Sequence, residues 1–500
     1  MSEELIEMKG QPKRELEREL ALNYDLEQVV ADLVDNSIDA GADNVWVIYN
    51  EEEYNNRRSY YVAVIDDGKG IPDDKISSVM DFGAPREYDE LELGKFGVGM
   101  KSSSLSQAKE ITLISKTKSS DMNLRRLSAE IVNELDKWML LPNLREHMDT
   151  EAISVAKREL AQLESGSAVI LEDMHKLHWR VGHEGKRDEY LSEEYGHIQN
   201  YLGLVFERYI RGTTLPKQDG SEVYRKVNLF FNGKSDANRI ELLDPFLSDM
   251  EDGSVTGTLN REIYLDLDDG KRTHKIKLKI WITPSDTDRP SGYDDRIRSA
   301  VRDAGISELQ GLYFYRNDRL IDFPGWKKIL KHDPHYTCVR WEVHFPPSLD
   351  DVFQLDPSKR EIKLPRELLD QMAKVSRTPY RWHMDDNKAM NHRARAKIRL
   401  NKKDKPKSTS QPTQTPSLPS GKPAKPDQTG SKNDPVVTSR PTKTDEWSAQ
   451  ALTKVKIKKL AGSITGQLFV SERTDGDALQ ITLNTKHGLY QEFIEAMKKE

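Results

Sequence analysis

The stretch that most restricts the fold is DLEQVVADLVDNSIDA, residues 25–40. Leu26, Val29, Val30, Leu33, Val34 and Ile38 recur at helical spacing, which predicts an amphipathic helix with one buried stripe. Asp25 can cap its start and Gly41 ends the run. Asp32 and Asn36 interrupt the pattern. Four residues apart, they project from one helix face, and the apolar stripe flanks that face. They are therefore polar groups near a core.

No regular strand–helix–strand series follows. VWVIYN (45–50) and YYVAVIDD (60–67) read as strands, followed by a short helix around 74–81 and a polar stretch to Gly94. A helix begins near Gly99, EITLISKT (110–117) is a strand, and 122–150 give no clear period. Residues 151–164 read as a helix and SAVILEDM (167–174) as a strand. This order predicts an α+β sandwich, with helices on one face of a mixed sheet, rather than a doubly wound parallel sheet.

After a helical segment, 193–210, strand-like runs recur at VNLFFNG, IKLKIWIT, GLYFYRNDRLI and CVRWEVHF, with a helix around 293–304. They predict a second α+β domain over about 223–365. Helical residues 366–400 follow. Residues 401–445 are rich in Lys, Pro, Ser, Thr and Gln without apolar periodicity, and read as a disordered linker. Strands (GQLFVSER, ALQITLN) and an amphipathic helix (LYQEFIEAMKK) return in a small α/β module. The expected boundaries are 1–185, 186–365, 366–400, 401–445 and 446–500.

Composition bounds the function. A net charge of −7 argues against a wholly basic nucleic-acid binder. The run KAMNHRARAKIRLNKKDKPK, from Lys388 to Lys407, is nevertheless strongly basic and could track a phosphate backbone. A solvated linker is its plainer account. There is no apolar run long enough to span a bilayer, and MSEELIEMKGQPKRELEREL is too charged for a signal peptide. A cytoplasmic protein without a membrane partner is expected. Cys338 is the only cysteine, which excludes a disulfide framework and a cysteine zinc cluster.

LGKFGVGMKSSS, residues 93–104, raises the question of chemistry. Gly94 and Gly99 have the spacing of an ATP-binding P-loop, but Met100 intrudes before Lys101 and Ser102, and the preceding REYDELEL is no buried strand. The dinucleotide fingerprint also fails, because residue 102 is not glycine. Two upstream stretches give the loop a context. DLVDN (32–36) offers a carboxylate and an amide oxygen, and IDDGKGIP (65–72) follows a strand with glycines that permit a sharp turn. With a glycine loop at a helix start, whose free N–H groups and dipole favour phosphates, these make a plausible Mg-nucleotide site.

In this order the motifs resemble the GHKL ATPase superfamily: DNA gyrase B, the heat-shock chaperone, histidine kinases and MutL, with the MORC proteins. The resemblance implies a Bergerat-type α/β sandwich that binds ATP and Mg2+. By that resemblance Asn36 is the asparagine that coordinates Mg2+, and Asp66 accepts a hydrogen bond from the adenine amino group. Gly68 and Gly70 shape that wall. Residues 81–96 match the mobile lid, and Gly94, Gly97, Val98 and Gly99 match the loop closing on the phosphates. Lys101 is a phosphate contact, with a solvated helix-start lysine as the alternative. Ser167, in SGSAVI, matches the residue that approaches the adenine through water. Hydrolysing members carry glutamate where this chain has Asp32. Aspartate is one methylene shorter, so slow turnover is expected with Asp32 still the base, the alternative being a structural carboxylate in an ATP-binding switch.

VNLFFNGK (227–234), LLDPF (242–246), GLYFYRNDRLI (311–321) and QLDPSKREI (354–362) resemble the S5-like transducer domain of MutL and MORC-like ATPases. A loop lysine of that domain crosses to the γ-phosphate. Lys359 fits it, Lys363 fits less well, and a surface lysine is the alternative. No histidine precedes the first motif helix, so a phosphoacceptor helix is not expected. The resemblance implies an ATP-dependent homodimer that clamps DNA, with partner proteins, in genome defence or DNA maintenance. A chaperone-like ATPase acting on proteins, or a nucleotide-gated interaction module without useful hydrolysis, is the alternative.

Overall fold

A computed structural model describes residues 6–7, 24–54, 57–80, 90–94, 99–142, 144, 149–175, 187–217, 219–249, 261–268, 273–284, 289–302, 305–333, 336–355, 362–377, 454–460, 469–474 and 478–484. The predicted first helix is there as α1 (Leu26–Asp39). The Asp25 N–H donates to Gln28 Oε1 at 3.4 Å, and Gly41 takes a left-handed φ of +75° just past the end.

The strands that follow are β2 (Asn44–Tyr54), β3 (Arg57–Asp66), β4 (Ala108–Lys116), β5 (Asn123–Ser128), β6 (Met139–Leu141) and β7 (Gly166–Met174). Ahead of them lies the short β1 (Ile6–Glu7). A small hairpin of β8 (Thr213–Pro216) and β9 (Glu222–Arg225) precedes β10 (Asn228–Phe231). Eight of these build one sheet in the order β1-β6-β5-β4-β7-β3-β2-β10. Every pairing is antiparallel except β10 on β2. The fold class is α+β, as the element order predicts.

The two-residue period of the strands separates two cores. Val45, Val47, Val62 and Val64 face α1, packing with Val29, Val30, Leu33 and Val34. Trp46, Ala63 and Ile65 point the other way, against Ala152, Ile153, Ala156 and Leu160 of the helix Glu151–Ala161. Helices thus cover both faces, where the sequence predicts one. The unassigned 122–150 stretch supplies β5, β6 and a short helix, Ala129–Leu135.

A second sheet has the order β11 (Arg261–Asp268), β12 (Thr273–Ile282), β15 (Val339–Phe345), β13 (Gly311–Arg316), β14 (Arg319–Asp322). The single run GLYFYRNDRLI is two strands, because Asn317 and Asp318 both take left-handed φ values, +46° and +59°, and turn the chain back. Two central residues with positive φ are what a tight hairpin needs, and Asn and Asp tolerate that region. The segment VNLFFNG, read with the second domain, instead places β10 on the edge of the first sheet. The first core also runs on without a break through Ile198 and Leu202 of the helix Arg187–Val205 to Tyr313, Tyr315 and Leu320 of the second sheet, across the boundary expected at 185.

The chain divides into two compact units, Met1–Thr409 and Ser410–Glu500. In the second, β16 (Lys454–Leu460), β18 (Ala478–Asn484) and β17 (Phe469–Thr474) form a three-stranded sheet. The basic run 388–407, the linker 401–445 and the predicted final helix lie outside the described residues. Among the described residues no helix is long and apolar enough to cross a membrane.

One buried cluster in the larger sheet sets a pH dependence. Arg126 donates to Glu110 Oε2 (3.0 Å) and Glu172 Oε2 (2.6 Å), so one cation serves two carboxylates. Glu52 lies beside them, and both its oxygens lack a hydrogen-bond partner among the described residues. Burial, reinforced by Glu172, pushes the Glu52 carboxyl up to about 8. Its folded pKa is raised, so its contribution to stability is lost as pH rises from the ordinary carboxylate range through about 8. Glu52→Gln should therefore nearly match the wild type near pH 5 and be more stable by on the order of 4 kcal/mol at pH 9. Thermal melts at both pH values check this, and equal differences at the two would rule it out.

Candidate nucleotide site

The site is built from three elements that the sheet brings together. The first is α1. Asp32 and Asp35 are buried on it, and Asn36 is exposed. A helix of this apolar content with one exposed carboxamide offers a neutral oxygen at a solvent-facing point.

The second element is the turn after β3. Asp66 is 5% exposed. Its Oδ2 accepts from Ser37 Oγ (3.2 Å) and its Oδ1 from the Gly68 N–H (2.9 Å). Burial raises its pKa to about 6, against the pull of these donors. Ser37 neighbours Asn36, so the hydroxyl ties the aspartate to the asparagine's own turn. The glycines answer to the protein as well as to any ligand. Gly70 has φ +70°, and a Cβ there would lie 2.0 Å from the Lys116 carbonyl oxygen. A Cβ on Gly68 would lie 2.9 Å from Ala40 Cβ, where the turn passes the end of α1. Asp67 fixes the outer side of the turn, accepting from the N–H groups of Asp43 and Asn44, each at 2.9 Å.

The third element is the β7 start. Ser167 stands opposite Asp66 in the antiparallel register. Its hydroxyl meets Ser115 Oγ at 2.9 Å, and Ser115 Oγ accepts the Ile71 N–H at 2.7 Å. Ser115 is a site residue that the sequence does not single out, since a serine in the strand EITLISKT carries no signal.

The start of the glycine loop is fixed by Asp39, also missed. Its two oxygens accept the N–H groups of Leu93 (2.8 Å) and Gly94 (2.9 Å). A Cβ on Gly94 would lie 4.0 Å from Asn36 Oδ1. The structure thus brings Asn36, Asp66, Gly68, Gly70, Gly94 and Ser167 around one end of α1. Gly99 opens the helix Gly99–Leu105, which contains Lys101. Gly97, Val98 and Lys359 lie outside the described residues. Lys363 is exposed, and its N–H donates to the Phe353 carbonyl (2.9 Å).

Arginines from the second half of the chain close the back of α1. Arg319 Nε donates to Asp35 Oδ1 (3.1 Å), both groups being buried. Arg302 Nε donates to Glu27 Oε1 (2.6 Å), and the same side chain reaches Glu194 (3.1 Å). Asp35 is therefore committed to Arg319. Asn36 fits Mg2+, an ion usually held by one or two protein oxygens together with water and phosphate oxygens. Among the described residues no group of three or more His, Cys, Asp or Glu could form an all-protein cage.

Residues 24–159 match the family described as Histidine kinase-, DNA gyrase B-, and HSP90-like ATPase. That stretch of the chain is similar to the ATPases of the GHKL superfamily. ATPase MORC2A of Mus musculus and ATPase MORC2 of Homo sapiens are each 35% identical to it over 89 residues. The match spans 17% of this chain and 8% of either relative's length. The crystal structure of the N-terminal domain of a DNA repair protein aligns over 75% of this chain and 98% of that one, at 16% identity and a TM-score of 0.38.

Proposed function

We infer that the chain binds Mg-ATP at the end of α1, closes the 81–96 lid over it and pairs with a second copy into a clamp on DNA. Slow hydrolysis resets the clamp. The observation that carries the reading is Asp66: a buried carboxylate, ionised above about pH 6, placed between Ser37 of the asparagine helix and Ser167 of the neighbouring strand. A carboxylate so placed suits an amino group that donates, as adenine does.

The other residues take roles around it. Asn36 would hold Mg2+, which when bound neutralises charge on the phosphates. The glycine loop and the helix start at Gly99 offer N–H groups to those phosphates. Lys101 and Lys359 are the proposed cationic contacts. Asp32 would take the proton of the attacking water, with a reach shortened by one methylene. The basic run Lys388–Lys407 would meet the DNA backbone.

The test is Mg-dependent ATP hydrolysis by the full chain, with and without long duplex DNA. Turnover should rise severalfold with DNA, and Asn36→Ala should lower it by roughly 100-fold, since the metal's share of transition-state stabilisation is several kcal/mol. Turnover indifferent to DNA would favour a chaperone-like ATPase acting on proteins. Binding without turnover would leave a nucleotide-gated interaction module and remove the enzyme reading.

A further inference from the structure

The segment Glu90–Gly94, which delivers the chain into the glycine loop, is held from two sides. On one side Asp39 of α1 accepts the N–H groups of Leu93 and Gly94. On the other lies the tip of the β13–β14 hairpin. Arg316 Nη1 donates to the carbonyl of Glu92 (2.9 Å) and more weakly to that of Leu93 (3.4 Å), and Asn317 Nδ2 donates to the carbonyl of Glu90 (3.0 Å). Arg316 is itself fixed, its Nε donating to both oxygens of Asp350 at 2.9 and 3.1 Å. Arg319, across the turn from Arg316, holds Asp35 one residue before Asn36.

We propose that this four-residue tip, Arg316 to Arg319, is a positioning element for the glycine loop. It fixes the loop's entry against α1, so a change in the loop is passed to the second sheet. The choice of partner carries the argument. Packing between two elements would be served by side-chain contacts that survive a backbone change. These donors instead meet three carbonyls of the loop entry, and a carbonyl's direction follows its own ψ angle. The contacts hold in one backbone state of Glu90–Leu93, and only such a differential contact can couple two states. The tip itself is stiff, because a two-residue turn with both φ values positive leaves little freedom.

The proposal rests on the loop being a nucleotide loop, and its test separates the two ideas. Amide hydrogen exchange at Leu93 and Gly94 would be followed in the full chain, with and without Mg2+ and a non-hydrolysable ATP analogue. Affinity for the analogue would be measured in parallel. In the wild type the analogue should raise protection about tenfold. In Asn317→Asp, which keeps a residue suited to left-handed φ but loses the donor, the rise should shrink below about threefold with affinity within about threefold of wild type. Arg316→Lys, which loses the planar fork that serves Asp350 and the Glu92 carbonyl together, should behave alike, and if it does not fold, Asn317→Asp decides alone. A full rise in the variants, or a rise lost only in proportion to affinity, overturns the proposal. A wild type that binds no analogue overturns the nucleotide reading and the proposal with it, and shows in the affinity before any variant is made.

Discussion

Asp66→Asn should weaken binding of Mg-ADP by about 100-fold while leaving the fold intact. A hydrogen bond to a charged group contributes roughly 1.5–3 kcal/mol, or about 10- to 150-fold in Kd. The amide also turns a donor toward a site that must accept. The fold survives because the local partners can adapt. The amide oxygen keeps the Gly68 N–H, and the new N–H group faces Ser37 Oγ, which can accept while donating to the Leu33 carbonyl (3.2 Å). The same reasoning gives a pH dependence. The folded carboxyl sits near 6, above its ordinary value, so it is neutral below that and ionised above it. Affinity should fall as pH drops from 7.5 to 5.5, and the Asn variant, which cannot ionise, subtracts the nucleotide's own protonation. Titration calorimetry at the two pH values reads both effects. Equal affinity for wild type and variant at pH 7.5 would remove Asp66 from the site.

Much of the candidate site is legible in the sequence because it is local. Asp32 and Asn36 lie on one helical repeat, and an apolar stripe around them is readable from α1 alone. Asp66 ends a strand marked by the unbroken apolar run YYVAVI, and Gly68 and Gly70 follow it. What stayed hidden depends on contacts between distant residues. Asp39 looks like an ordinary helix-end aspartate until Gly94, 55 positions away, is seen donating to it. Arg319 pairs with Asp35 across 284 positions. The edge strand β10 reads correctly as a strand, but periodicity does not say which sheet it joins. Elements as short as β6, three residues, carry too few repeats to show a period. The helix Glu151–Ala161 shows the same limit from another side: its apolar stripe is clear, yet the stripe does not name the face of the sheet that it covers.

The pair that the sequence hides most completely carries the largest expected loss of stability. Arg319→Met should destabilise the chain by about 3–5 kcal/mol, because it leaves Asp35 as a buried carboxylate without its cation. Asp35 is 1% exposed and Arg319 2%, so water replaces neither partner. The cation also lies over the Phe206 ring, 5.1 Å from its centroid, and donates to the Leu320 carbonyl at 2.7 Å. Methionine fills much of the arginine's apolar volume, so the cost should come chiefly from the unpaired charge. Adding Asp35→Asn removes that charge, and the double variant should recover more than half of the loss. A coupling of about 2–3 kcal/mol between the two positions is the signature of a direct buried pair. Urea unfolding of the two single variants and the double closes the cycle. A coupling below about 0.5 kcal/mol would mean that the two act independently. The link to the site then follows from linkage: if α1 keeps its shape in the double variant, Mg-ADP at 100 times the wild-type Kd should raise its stability by about 2.7 kcal/mol, as it would in the wild type. A double variant that refolds but gains nothing from nucleotide would show that the pair sets the geometry of Asn36 as well as holding the helix in place.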